Sequence, residues 1–417
     1  MQHNLSYQDN YLHLDTVNLK ELANIYGTPC YIYSKQTIIN NFQQYTQGLD
    51  GVNSLVCYAV KANSNLSILH TLANQGAGFD VVSGGELARV LKAGVSAEKI
   101  VFAGVGKSTQ EIKYALHAGI YSFNVESIAE IDRINHIAIE MGKQAPISMR
   151  VNPNIDAKTH PYISTGLTGH KFGIPHTEII DAYKYAHTLS GINIVGVSCH
   201  IGSQLSAISP FTQAVEFLKT LLTQLNGCGI NLKSIDIGGG LGVQYTTEKI
   251  PSIAEYTRAI SQALSDFNLK LIIEPGRSII ANAGVLITKV EYLKKSGASN
   301  FAIVDAAMND LMRPCLYGAE HQIVAVKKNT GSNVDKYSIV GPVCESSDVF
   351  VKNIEIALKQ DDILAILGAG AYAFSMSSNY NTRPKVAEVL VDLNKHHLIG
   401  KREKIEDLWR LENIVKD

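Results

Sequence analysis

The sequence predicts an α/β protein, a closed (β/α)8 barrel of the TIM type carrying a second, mainly antiparallel β domain. Three observations lead there. Between about residues 35 and 280, short β-branched runs alternate with amphipathic helical stretches. Those runs number eight, Ser54–Val60, Phe79–Val82, Ile100–Ala103, Ser122–Val125, Ile147–Val151, Ile194–Cys199, Ser234–Ile237 and Leu271–Ile273. Beyond about residue 280 the helical pattern gives way to short alternating segments.

Helical patterns fill the gaps of the first region: Asn65–Gln75, Gly85–Ala93, Thr109–His117, Ile128–Met141, Thr177–Leu189, Pro210–Asn226 and Ile253–Phe267. Strand alternating with helix means a parallel sheet, and eight repeats close it into a barrel. A doubly wound open sheet competes, but it does not need eight strands. The later segments, Gly284–Leu293, Phe301–Val304, Gln322–Lys327, Tyr337–Gly341, Ile363–Leu367 and Ala387–Val391, read as a small antiparallel barrel or sandwich. Near the N-terminus, Leu12–Leu14 and Tyr31–Tyr33 are strand-like pieces that join it. The expected division is therefore a barrel over 34–280 and a β domain made of 1–33 and 281–417.

Charge and composition narrow the function. The 37 Lys and Arg nearly balance 38 Asp and Glu, so there is no basic footprint for nucleic acid and no polybasic membrane patch. Six cysteines are scattered, Cys30, Cys57, Cys199, Cys228, Cys315 and Cys344, with neither disulfide nor metal spacing. The N-terminal stretch is polar and lacks a signal-peptide core. The longest apolar run, Ile363 to Phe374, is too short to span a bilayer. A soluble cytoplasmic protein without a metal is expected.

Chemically useful residues gather at the strand exits, the face on which such barrels build active sites. They are Lys61, Asp80, Ser83, Asn124, Glu126, Arg150, Asn152, His200, Asp236 and Glu274. Taken singly, each has a plainer reading. Asp, Ser and Asn at such junctions commonly cap helices. Lys61 ends the apolar run in CYAVKAN, where it either reaches solvent along its stem or serves as an amine. The DIGGGLG stretch at 236–242 is either a turn or a cradle whose backbone N–H groups hold an anion. The EPGR stretch at 274–277 is either a surface ion pair or an acid beside a phosphate-binding arginine. Together, an amine, two anion-binding turns and an acid suit pyridoxal phosphate. Lys61 would take the aldehyde and Glu274 the ring nitrogen. His200 would lie on a ring face, with Ser203 near the phosphate.

The motifs YAVKAN (58–63), FDVVSGGEL (79–87), HIGSQ (200–204), DIGGGLG (236–242) and EPGR (274–277) closely resemble the fold-type III pyridoxal-phosphate decarboxylases, in the same order along nearly the whole chain. MNDLMRPCLY (308–317), CESSD (344–348), GAGAY (368–372), NYN (379–381) and Arg383-Pro384 resemble the diaminopimelate decarboxylase family in particular. That resemblance implies an alanine-racemase-like barrel and decarboxylation of meso-2,6-diaminopimelate to L-lysine, the last step of lysine biosynthesis. Another basic amino acid, ornithine, arginine or a carboxylated polyamine, is the alternative substrate. Carried over by position, Lys61 binds pyridoxal 5'-phosphate covalently, and Asp80, His200, Ser203, Gly239, Gly240, Glu274, Gly276, Arg277 and Tyr372 contact it. Cys344 resembles the family's proton donor. Arg277 and Arg313 would bind the distal carboxylate and Glu345 the distal ammonium, with Tyr317 and Tyr372 lining the pocket. The resemblance also implies a homodimer whose Cys344–Glu345 segment enters the partner's site. Met312 and Cys315 depart from the family pattern without touching a proposed role.

Overall fold

The computed structural model describes residues 4–155, 171–328 and 334–415. It forms two compact units, one of residues 39–244 and 248–279, the other of residues 1–38, 245–247 and 280–417.

The first unit is a closed barrel. Its strands in chain order are Ser54–Ala59, Gly78–Val81, Ile100–Phe102, Ser122–Val125, Ala145–Asn152, Ile192–Ser198, Ser234–Asp236 and Lys270–Ile273. Each pairs in parallel with the next, and the eighth closes on the first through Leu271↔Ser54 and Ile273↔Val56. Nearly continuous Val, Ile and Phe runs fit strands covered on both faces. Polar residues at the exits start the outer helices. Ser83 caps Gly84–Lys92, Ser127 caps Ile128–Glu140, and Ser108 with Glu111 forms a capping box on Thr109–Ala118. For Ser83 the capping reading therefore holds. The first strand stops one residue earlier than the sequence pattern suggests. Lys61 sits in a 3-10 turn, Val60–Ala62, whose path is fixed by the Tyr58 hydroxyl donating to the Asn63 carbonyl at 3.0 Å.

The second unit is organised around the long strand Gly284–Ser296. It pairs antiparallel with Cys30–Ser34, Ser299–Val304 and Ile363–Ile366. Cys30–Ser34 pairs in parallel with Ala387–Asp392, which brings the N-terminal segment into this sheet. Its core gathers Leu12, Leu14, Leu19, Leu22, Ile32, Val285, Ile287, Ala365 and Val389. Several strands had no counterpart in the sequence pattern, among them Val349–Ile356 and Lys395–Gly400, which both lie at sheet edges. Their exposed, charged positions blunt the alternation that reveals inner strands. Among the described residues no helix is long and apolar enough to cross a membrane.

Candidate functional site

The barrel unit collects nine of the singled-out residues: Lys61, Asp80, His200, Ser203, Gly239, Gly240, Glu274, Gly276 and Arg277. Lys61 Nζ donates to Asp80 Oδ2 at 2.7 Å. Asp80 is wholly buried while 38% of the lysine side chain stays exposed. That answers how a lysine ends an apolar run. Its charge is balanced by a carboxylate from the neighbouring strand.

The glycine turn is built by close approach. A Cβ on Gly239 would strike the Glu274 carbonyl, and one on Gly240 would strike the Gly202 carbonyl. Gly240 also has φ +119°, a region other residues rarely enter. The turn therefore runs tightly between the segments carrying His200 and Glu274. The Gly239 N–H donates to His200 Nδ1 at 3.2 Å, which leaves the ring proton on Nε2. Burial, then the charges of Arg150 and Lys61, hold this imidazole well below its ordinary pKa, so it is neutral. Arg277 Nη2 donates to Ser203 Oγ at 3.0 Å, joining two further residues of the set.

Glu274 lies buried at the end of the eighth strand. Burial, reinforced by the nearby Asp236 and Asp80, pushes its pKa well above the usual carboxylate range, and the charge of Lys61 opposes that push. Burial likewise lifts Asp236, to about 6. Asn124 Nδ2 donates to both acids, at 3.0 Å to Asp236 and 3.2 Å to Glu274. A second polar pair flanks the site. Arg150 Nη1 contacts Glu126 Oε1 at 2.8 Å, and Glu126 Oε2 accepts the Gly173 N–H at 2.7 Å. Asn124, Glu126, Arg150 and Asp236 were visible at the strand exits, but no spacing rule tells which of them meet across a closed barrel.

The other five residues, Arg313, Tyr317, Cys344, Glu345 and Tyr372, belong to the β unit. Cys344 and Glu345 are exposed on a turn wrapped around the buried Asp348. Asp348 Oδ2 accepts the Val343 N–H at 2.8 Å, and its Oδ1 accepts the Met308 N–H at 2.7 Å. The CESSD and MNDLMRPCLY motifs are thus tied together by one carboxylate. Glu345 Oε1 accepts a hydrogen bond from the Tyr380 hydroxyl. Arg313 is buried, donates to His321 Nε2 at 2.9 Å, and stacks on Tyr245 with its guanidinium 4.3 Å from the ring centre. His321 Nδ1 bonds the Leu367 carbonyl at 2.8 Å, which fixes the tautomer that Arg313 needs. His321 and Tyr245 were not foreseen, because neither lies in a recognisable motif. Tyr372 has φ 53°, a left-handed conformation unusual for a tyrosine.

Three of the other cysteines are poor candidates for chemistry. Burial pushes Cys30 up to about 12 and raises Cys57 and Cys199 as well. Among the described residues no group of His, Cys, Asp and Glu is placed to hold a metal ion.

Residues 35–281 match the family model described as pyridoxal-dependent decarboxylase, pyridoxal binding domain. The chain is 50% identical over 411 residues to a diaminopimelate decarboxylase from Vibrio cholerae, with 98% of each sequence covered. Among solved structures it resembles a Helicobacter pylori diaminopimelate decarboxylase complexed with L-lysine, at TM-score 0.91 and 46% identity, covering 95% of this chain and 99% of that one. A diaminopimelate decarboxylase from M. jannaschii, also in complex with L-lysine, matches at TM-score 0.95 and 38% identity, covering 99% and 98%. The donor set fits a phosphorylated aromatic aldehyde: a part-exposed lysine amine, a glycine turn that a Cβ would obstruct, a serine–arginine pair and a buried acid.

Proposed function

The chain belongs to the diaminopimelate decarboxylases of the pyridoxal-dependent decarboxylase family, and from that membership we propose how its residues convert meso-2,6-diaminopimelate to L-lysine and carbon dioxide. Pyridoxal 5'-phosphate, when bound, supplies the electron sink for the pair left behind as carbon dioxide departs. Lys61 holds the cofactor aldehyde through Nζ, and Asp80 keeps that amine in place whenever it is free. Glu274 hydrogen-bonds the ring nitrogen and keeps it protonated. The neutral His200 covers one ring face without adding a competing positive charge. Ser203, Arg277, Tyr372 and the backbone at Gly239, Gly240 and Gly276 hold the phosphate.

On the substrate side, Arg277 and Arg313 bind the distal carboxylate and Glu345 the distal ammonium, with Tyr317 and Tyr372 along the pocket. A site that hydrogen-bonds a distal amino-acid head rejects amines lacking it far more strongly than an apolar pocket would. This is why ornithine, arginine and carboxylated polyamines are poorer substrates in this reading. Cys344 gives its thiol proton to the α-carbon. The chain acts as a cytoplasmic homodimer, the Cys344–Glu345 segment of one copy serving the barrel of the other. The exposure of both residues supports that arrangement.

One observation carries the cofactor reading: the segments bearing Lys61 and Glu274 leave adjacent parallel strands at the same end of one barrel, where the Ala59 N–H donates to the Pro275 carbonyl at 3.1 Å. The test is carbon dioxide and lysine release by cofactor-saturated protein, comparing meso-diaminopimelate with ornithine. Diaminopimelate should be the strongly preferred substrate. A preference for ornithine would reject the substrate assignment.

A further inference from the structure

Glu274 is not a solitary acid. A single amide reaches both its carboxyl and that of Asp236, which sets the two buried acids side by side. Two buried carboxyls so placed resist ionising together, so such a pair retains one proton. One amide spans both, since Asn124 Nδ2 has two hydrogens and donates to Asp236 Oδ2 and Glu274 Oε1. Asp236 Oδ1 accepts the Gly238 N–H at 2.8 Å, which ties the pair to the glycine turn.

Asn124 is itself held from behind. Its carbonyl accepts from Lys107 Nζ at 2.8 Å, and the same ammonium donates to Gly104 O at 2.9 Å and Glu130 Oε1 at 2.8 Å. Lys107 is almost fully buried, and its three N–H groups meet three acceptors. It is a structural post, whereas the Lys61 side chain is partly exposed. Glu130 Oε2 in turn accepts the Glu126 N–H at 2.7 Å, fixing the segment that follows Asn124.

We propose that Asn124 and Asp236 are positioning residues for Glu274, holding it as half of a one-proton carboxyl pair that supplies the proton for the cofactor ring nitrogen and then faces that nitrogen with two negative charges. The inference rests on the reading that Glu274 meets the ring nitrogen. The pair begins with one proton and one negative charge. Glu274 passes the proton to the ring nitrogen, both carboxylates are then ionised, and the nitrogen carries the compensating positive charge. Nothing is oxidised or reduced. Asp80 and Lys61 face the same region and offset one another as an ion pair. A neutral amide suits the bridge. It donates to each carboxylate without cancelling its charge, whereas an apolar side chain would leave both acids short of a donor.

The experiment follows the 15N resonance of holoenzyme loaded with cofactor labelled at its ring nitrogen, across a pH titration. It compares the parent chain with Glu274→Gln, Asp236→Asn and Asn124→Leu. Asp236→Asn keeps the shape and an acceptor for Gly238 but removes one charge. The ring nitrogen should then lose its proton about one pH unit or more below the parent value, with kcat falling while KM holds. Asn124→Leu removes the bridging donors, making the acids more basic, and should shift the resonance in the same direction. An indirect structural role would lower the yield of folded holoenzyme without moving the resonance of what remains. If Glu274→Gln leaves the resonance unmoved, the reading of Glu274 itself fails. If Glu274→Gln moves it and neither Asp236→Asn nor Asn124→Leu does, this inference alone fails. Should Asp236→Asn not fold, Asn124→Leu decides by the same criterion.

Discussion

The acids of the barrel and the Cys344 turn of the β unit hold their functional groups by opposite means. In the barrel, the acids are themselves the fixed parts: Asp80, Glu274 and Asp236 are buried and bonded. In the β unit, Cys344 and Glu345 are exposed, and the fixed part is Asp348, which bonds backbone N–H groups from two segments. The contrast follows from the proposed chemistry. Tuning a ring nitrogen or an amine needs charges in a low-dielectric setting, where they act strongly. Delivering one proton needs only a thiol at the right place.

The largest effects should therefore separate the two regions by kind. Lys61→Ala should lower kcat by about a thousandfold or more and abolish borohydride attachment of the cofactor. Retention of that attachment would reject the role of Lys61. Cys344→Ala should lower kcat by roughly 10²- to 10⁴-fold, yet leave cofactor binding and the unfolding midpoint unchanged, because its side chain is exposed. A loss of cofactor from Cys344→Ala would show that the turn does more than donate a proton.

Next in size is Asp348→Ala, which strands the Val343 and Met308 N–H groups. Each buried donor left unpaired costs about 1–3 kcal/mol, so urea denaturation should show a loss of that order or somewhat more. Activity should fall with it as the Cys344 turn loosens. Asp348→Asn keeps one acceptor oxygen and should fall between. Equal stability of all three proteins would mean that the turn is held by something other than this carboxylate.

How much of this was legible beforehand differs by region for physical reasons. The barrel was readable from strand–helix alternation, since buried parallel strands must be apolar along their length and serines at the exits must cap helices. The edge strands Val349–Ile356 and Lys395–Gly400 were not, because solvent-facing residues erase the period-two signal. Residue types at the strand exits announced a polar barrel mouth. Which of them pair is a property of closure: Asn124 reaches Asp236 and Glu274 across 112 and 150 residues of sequence. Arg313 was singled out on resemblance, while its partner His321 carried no signal, since a lone histidine in a loop ordinarily means nothing.

The smallest expected effect concerns Asp310, which follows Asn309 in the MNDLMRPCLY motif and is as buried as the barrel acids. Burial raises its carboxyl from 3.8 to about 6, against the Ala307 N–H and the charge of Arg383, which lower it, and Asp305, which raises it further. A carboxyl whose folded pKa lies above its unfolded value binds its proton more tightly when folded. Its contribution to stability is thus fully present below about pH 4, declines as pH rises through about 6, and is level above that. Asp310→Asn does not titrate and keeps an acceptor for Ala307. The stability of the parent chain relative to Asp310→Asn should therefore fall across that window, by at most about 1.4 kcal/mol per pH unit. Urea midpoints of both proteins at pH 4, 5, 6 and 7.5 measure the difference directly. A gap that stayed constant would mean that folding does not shift the Asp310 carboxyl, and one that widened in favour of the parent as pH rose would mean that Asp310 is ionised and stabilising. In that case the β unit, like the barrel, would be using a buried charge.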